Sequence, residues 1–128
     1  MTPVFRGLVL ATLITVPAFA RASAATLPAG ASIPARITLL SLNGPVGRQN
    51  PFYRGYRPTF VFGGAKAEVM CDIDLPGARE KVEPGETVEV LLRCIEPVSI
   101  DAGAPAFIFR EGGRKVGVGE LELPRADR

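Results

Sequence analysis

Two stretches, EVMCDIDLP (68–76) and TVEVLLRCI (87–95), alternate apolar and polar residues, and each carries a cysteine on its apolar side. In the first, Val69, Cys71, Ile73 and Leu75 point one way and Met70, Asp72 and Asp74 the other; in the second, Val88, Val90, Leu92 and Cys94 share a face. Period-two alternation marks a strand with one buried face, because successive side chains of an extended chain leave on opposite sides. The connection GAREKVEPGE (77–86) is polar, and Pro84-Gly85 marks a turn in it. If the two strands pair antiparallel through that connection, Cys71 and Cys94 fall near each other. A bridge there would close a loop of about two dozen residues, worth on the order of 3 kcal/mol in the chain-entropy treatment. The alternative is a pair of buried thiols acting as small hydrophobes. A catalytic redox pair is not supported, since no Cys-x-x-Cys spacing is present.

The rest of the chain has the same short rhythm. ARITLLS (35–41) sets Ile37 and Leu39 against Arg36 and Thr38, and TFVF (59–62) follows Pro58, which fits the start of a strand. AFIFR (106–110) is short and aromatic, and KVGVGELEL (115–123) is a last strand interrupted by Gly117 and Gly119. Glycines inside a strand predict a bulge or a close approach of another backbone. NGPVGRQNP (43–51) and GGAK (63–66) are loops, and no stretch has a convincing helical period. The 128 residues suffice for one domain, and 47% apolar content suits a folded one. Short strands linked by turns predict an all-β protein, a small sandwich or barrel.

The first twenty-odd residues differ in kind. Arg6 opens a short positive region, LVLATLITV (8–16) is uninterruptedly apolar, Pro17 ends it, and the small residues of AFARASAA follow. That is the anatomy of a secretory signal peptide, with small residues at −1 and −3 for cleavage after Ala20, Ala22 or Ala24. Even counted from Leu8 to Ala20 the run is 13 residues, short of the roughly 20 that span a bilayer. The expected organisation is a signal peptide over 1–24, cut near Ala20–Ala25, a short linker over 25–32, a β-domain over 33–124 and a tail over 125–128. The expected location is periplasmic or secreted, with no stable membrane span, and an oxidising compartment favours the Cys71–Cys94 disulfide. Arg6 and Arg21 supply the whole excess of 15 Lys+Arg over 13 Asp+Glu, so the chain from Thr26 onward is neutral. A basic footprint for nucleic acid is therefore missing.

Catalytic material is sparse. The chain has no histidine, which removes the commonest general base and metal ligand and every Ser–His or Cys–His nucleophile. No glycine cluster is followed by Gly-Lys-Ser/Thr, so GTP binding is not expected. Asp72 and Asp74 share a strand face; paired carboxylates can do acid–base work, but on an alternating strand they read as a solvated face, and they are too few for calcium. Glu86, Glu89, Arg93 and Glu96 read as solvent-facing charge. An enzyme, a metal site and a cofactor are all unexpected. Two polar stretches stand out instead. PFYRGYRPTF (51–60) interleaves Phe52, Tyr53, Tyr56 and Phe60 with Arg54 and Arg57, either as a stacking platform for single strands or as a turn into a strand whose rings are core. REGGRKVGVG (110–119) reads as a hairpin turning at Gly112-Gly113, or as a positive loop open to a partner backbone.

GRQNPFYRGYRPTFVF (47–62), LPGAREKVEPGETVEV (75–90) and FIFREGGRKVGVGEL (107–121), in that order, resemble the C-terminal β-barrel domain of elongation factor Tu, domain 3 of that translational GTPase. The resemblance runs from about Ile33 to Leu123 and implies a six-stranded antiparallel barrel without chemistry of its own. In the full factor such a domain packs on the GTPase domain and the preceding barrel, holds one side of the tRNA T stem and meets the exchange factor. Carried over by position, the T-stem contacts fall on Arg48, Gln49, Asn50, Thr59, Arg110, Glu111 and Gly112; with Arg54, Arg57 and Arg114 they outline a candidate contact surface. The departures are Gln49 for the histidine of the family's GRHTP loop, Glu96 before Pro97, and GGAKAEVMCD in place of a TTDVTG segment. With the leader and the missing partner domains, these imply an exported binding or scaffold module whose partner is an unknown protein or envelope component, nucleic acid being disfavoured. The alternative is a translation-associated RNA- or protein-binding accessory kept in the cytoplasm.

Overall fold

The structure, a computed structural model, describes residues 24–63 and 67–123, with positions 3, 7 and 10–14. The cleavage positions Ala20 and Ala22, the tail 125–128 and three residues of the GGAK loop lie outside the described residues. Among the described residues, no helix is long and apolar enough to cross a membrane.

Among the described residues ten strands follow one another: β1 (Ala24–Leu27), β2 (Ser32–Leu39), β3 (Phe52–Tyr53), β4 (Thr59–Phe62), β5 (Val69–Asp74), β6 (Lys81–Val82), β7 (Thr87–Cys94), β8 (Val98–Asp101), β9 (Ala106–Glu111) and β10 (Arg114–Leu121). Six close a barrel in the order β10-β2-β7-β5-β4-β9, with every neighbouring pair antiparallel. This is the six-stranded barrel that the resemblance implied. The other four strands make two ribbons, β1 with β8 and β3 with β6. The ribbons sit at opposite ends of β7, since β6 leads into its first residue and β8 follows its last.

Alternation decides what the barrel encloses. Along β7 every second residue is buried, from Val88 to Cys94, and along β5 the inward set is Val69, Cys71 and Ile73. Closing the sheet turns these faces into a single core with Ile37 and Leu39 of β2 and the phenylalanines of β4 and β9. Phe60 and Phe62 stand opposite Phe109 and Phe107, with Phe60 5.3 Å from Phe109 and 5.4 Å from Phe107 between ring centroids. The next strand answers those rings with glycines: Gly117 pairs with Phe109 and Gly119 with Phe107. A Cβ on Gly117 would lie 1.8 Å from the Phe109 ring. Both halves of the glycine expectation are met: a register shift between Lys115 and Gly117 is the bulge, and a Cβ on Gly119 would lie 2.4 Å from the Arg36 carbonyl oxygen. The close neighbour of Gly117, however, is an aromatic ring and not a backbone.

Cys71 and Cys94 are register partners and are disulfide-bonded, with Cα atoms 3.9 Å apart. The Cys71 N–H donates to the Pro58 carbonyl on the other flank of β5 (3.2 Å), while the next pair, Met70 and Ile95, carries the ladder bond to β7 (3.0 Å). The cysteines thus occupy a non-hydrogen-bonded pair, where facing side chains come closest. The β9–β10 hairpin turns at Gly112-Gly113 with φ of 57° and 83°, the positive φ at both central positions that a type I′ turn requires and glycine supplies most readily.

One boundary differs from expectation. Ala24 and the first residues of the presumed linker form β1, which runs in register from Ala24 opposite Asp101 to Leu27 opposite Val98. The cause lies at the far end of the chain: β8 buries Val98 and Ile100, and β1 completes its hydrogen bonding. Strands of two to four residues such as β1, β3, β6 and β8 are too short to display a period.

Candidate functional site

The rings of PFYRGYRPTF divide as strand alternation requires. Phe52 and Phe60 are buried, Tyr56 stacks on Phe52 at 4.7 Å, and Tyr53 turns outward with 59% of its surface exposed. Most of the stretch is therefore core and turn. Arg54 folds back onto the 75–79 turn, where its guanidinium donates to the carbonyls of Leu75 (3.1 Å), Gly77 (3.0 Å) and Arg79. Expected as a contact residue, it pins one loop to another. Arg57 is exposed and makes no side-chain hydrogen bond or ion pair among the described residues.

Arg48 fastens the GRQNP loop to the β9–β10 hairpin. Its Nη1 donates to both carboxylate oxygens of Glu111 (2.7 Å to Oε1), Nε to the Asn50 carbonyl and Nη2 to the Pro51 carbonyl (each 3.2 Å). The guanidinium lies 5.2 Å from the centre of the Tyr56 ring, close enough for a cation–π contact. Two further links tie the same segments: Gly47 N–H to the Lys115 carbonyl (2.8 Å) and Arg114 Nη1 to the Gly44 carbonyl (3.0 Å). Arg110 pairs with Glu68 at 3.1 Å, and the half-buried Thr59 donates Oγ1 to the Arg110 carbonyl at 3.3 Å. Gln49, Asn50 and Gly112 are exposed. Arg48, Asn50, Tyr53, Arg54, Tyr56 and Glu111 surround one shallow hollow of about 430 Å³. Segments sixty residues apart in sequence are thus gathered at one end of the barrel.

Tyr56 is the perturbed group of this end. Its hydroxyl is buried without a hydrogen-bond partner among the described residues. Burial first, and the Glu111 carboxylate second, push its phenol up to about 12, Arg48 opposing them in part. A phenol that stays neutral in the fold but ionises near 10 when unfolded contributes stability that is present below pH 10 and is lost as pH rises toward 12. Phenolate absorbance from Tyr56 in the native protein is expected to rise only as pH approaches 12. Tyr56→Phe should remove that late rise and flatten the alkaline loss of stability; a late rise that persists in the variant would refute this assignment.

Asp72 and Asp74 lie half-buried on the outer face of β5, and Asp72 Oδ1 is buried without a hydrogen-bond partner among the described residues. Asp74 lies 3.8 Å from Arg54 and 3.6 Å from Arg93. Asp72 stands opposite Arg93 across β7, and the hydrogen bonds from Cys71 to Pro58 and from Ile73 to Tyr56 place Arg57 opposite it on the other side. Glu86, expected to be idle, accepts the Glu83 N–H (2.8 Å) and the Arg79 guanidinium (3.2 Å), and these bonds hold its carboxyl below the usual range. Sequence reasoning also missed Glu68, because a pairing 42 residues distant leaves no local signal.

A closed antiparallel barrel with its polar loops tied together at one end defines a small β-barrel module. Residues 27–122 match the model of the elongation factor Tu C-terminal domain, and the chain belongs to that family. Standing alone, such a domain is a non-catalytic β-barrel.

Proposed function

We propose that the chain acts as an exported, non-catalytic binding module whose contact surface is the barrel end built by the GRQNP loop, the GYRP turn and the REGGR hairpin. The observation that carries this reading is the Arg48–Glu111 link, which holds two distant loops as one preformed surface around an exposed tyrosine. The state of the arginines supports a protein or another envelope component over a polyanion. Arg48 and Arg110 are engaged by carboxylates and Arg54 by carbonyls, whereas a nucleic-acid footprint needs several cations free to displace counterions. A Cys71–Cys94 disulfide fits an oxidising compartment.

Mass spectrometry of the protein recovered from cell fractions tests export. The expected product sits in the envelope or medium, begins between Arg21 and Thr26 and is oxidised; a full-length, reduced cytosolic product would favour the translation accessory. Titration with single-stranded RNA and DNA at low salt tests the partner class. No saturable binding is expected, and binding whose logarithm falls linearly with that of salt would return the surface to nucleic acid.

A further inference from the structure

A second surface lies away from the loop end, on the outer face of β2, β7 and the end of β10. Register stacks its side chains in two rows. Glu120, Arg36 and Glu89 align across the three strands. In the next row the Glu122 N–H donates to the Pro34 carbonyl (2.9 Å), Pro34 stands opposite Leu91, and Leu91 opposite Asp74. Between them is a groove of about 240 Å³, room for one large apolar side chain. Pro34, Pro76 and Leu91 give it an apolar wall, and Leu91 is 37% exposed on a strand face where aliphatic residues are otherwise turned inward. Asp74, Glu89 and Glu122 form the rim, and none of the described residues that line it is a lysine or arginine.

Among the described residues the charges facing the groove do not balance. Arg54 and Arg93 flank Asp74, which leaves Glu89, Glu120 and Glu122 to share Arg36. That guanidinium lies 3.5 Å from Glu89 and 3.7 Å from Glu122, and Glu120 makes no ion pair among the described residues. The excess of carboxylate excludes phosphate backbones. It also opposes a second copy docked face to face, since each copy would bring four carboxylates, those of Asp74, Glu89, Glu120 and Glu122, against the three guanidiniums of Arg36, Arg54 and Arg93. We infer that this groove docks an extended segment of another protein in which an apolar side chain is flanked by basic residues two positions away on either side. In an extended chain positions i−2, i and i+2 share one face, so the apolar group enters the groove while the cations reach the acidic rim.

The probe is the blocked pentapeptide Lys-Ser-Leu-Ser-Lys, with Lys-Ser-Ser-Ser-Lys and Glu-Ser-Leu-Ser-Glu as controls, titrated into isotopically labelled protein and followed by amide chemical shifts. The Lys–Leu peptide is expected to bind at least about tenfold more tightly than either control, or about 1.4 kcal/mol. Its shifts should centre on residues 34–36, 89–91 and 120–122. Leu91→Ser, and separately the pair Glu89→Gln and Glu122→Gln, should remove that preference, whereas Ile95→Ser, exposed but outside the groove, should keep it. Equal binding of Lys-Ser-Ser-Ser-Lys, shifts centred on the loop end, or concentration-dependent shifts of the groove residues without peptide would each overturn the assignment.

Discussion

Removing the Cys71–Cys94 bridge is expected to lower the free energy of unfolding by on the order of 3 kcal/mol. The cysteines are 23 residues apart in sequence, so the bond denies the unfolded chain the freedom of a medium-sized loop. That is a large share of the roughly 5–15 kcal/mol by which small domains are stable. Position sharpens the effect. On its β7 side β5 keeps four ladder pairs, from Cys71 to Asp74, whereas β4 itself offers Thr59 opposite Met70 and Phe60 opposite Val69, continued before the strand by the Cys71-to-Pro58 and Ile73-to-Tyr56 bonds. Regular strand pairing is therefore shortest along the β4–β5 seam, and the bridge holds β5 from the other flank. Urea unfolding of the oxidised protein, the reduced protein and the Cys71→Ala, Cys94→Ala double variant measures this. The last two should unfold at a similar and much lower midpoint. Coincidence of all three curves would show that the bond does not constrain the unfolded chain.

Gly117→Ala should cost up to about 3 kcal/mol, through overpacking and not through backbone freedom. An added Cβ falls 1.8 Å from Cζ and 2.2 Å from Cε1 of Phe109. The ring has no room to withdraw, being fully buried and packed 5.3 Å from Phe60. Elsewhere in a strand the same substitution is mildly favourable, because glycine orders at greater entropic cost. The Phe109→Leu variant distinguishes these effects. It should be destabilised alone, by cavity formation, and should accept Gly117→Ala at little further cost, giving a coupling of about 1–2 kcal/mol in a double-mutant cycle. Additive losses would mean that the ring and the glycine do not contend for one space.

The long alternating segments were legible because a strand buried on one face writes its period into the chain. Val69, Cys71, Ile73 and Leu75 all point inward as expected. The facing of the cysteines followed from the same period once the two strands were paired. The contact residues were harder to read. Arg54 and Arg48 look from their neighbours like exposed cations, but their partners are the 75–79 carbonyls and Glu111. Those partners are brought close by barrel closure alone.

By itself the sequence determined the all-β class, the inward faces of the long strands and the irregularity of the last strand at Gly117 and Gly119. Each is a local property, dictated by the two-residue repeat of an extended chain and by the size of a side chain. Only the tertiary structure decided that Ala24–Leu27 is a strand, that the arginines of the loop end are bound internally, and that an acid-rimmed apolar groove lies across β2 and β7. These depend on which strands lie side by side. Closing a barrel sets that adjacency through hydrogen bonds between distant segments, and no short window of sequence records it.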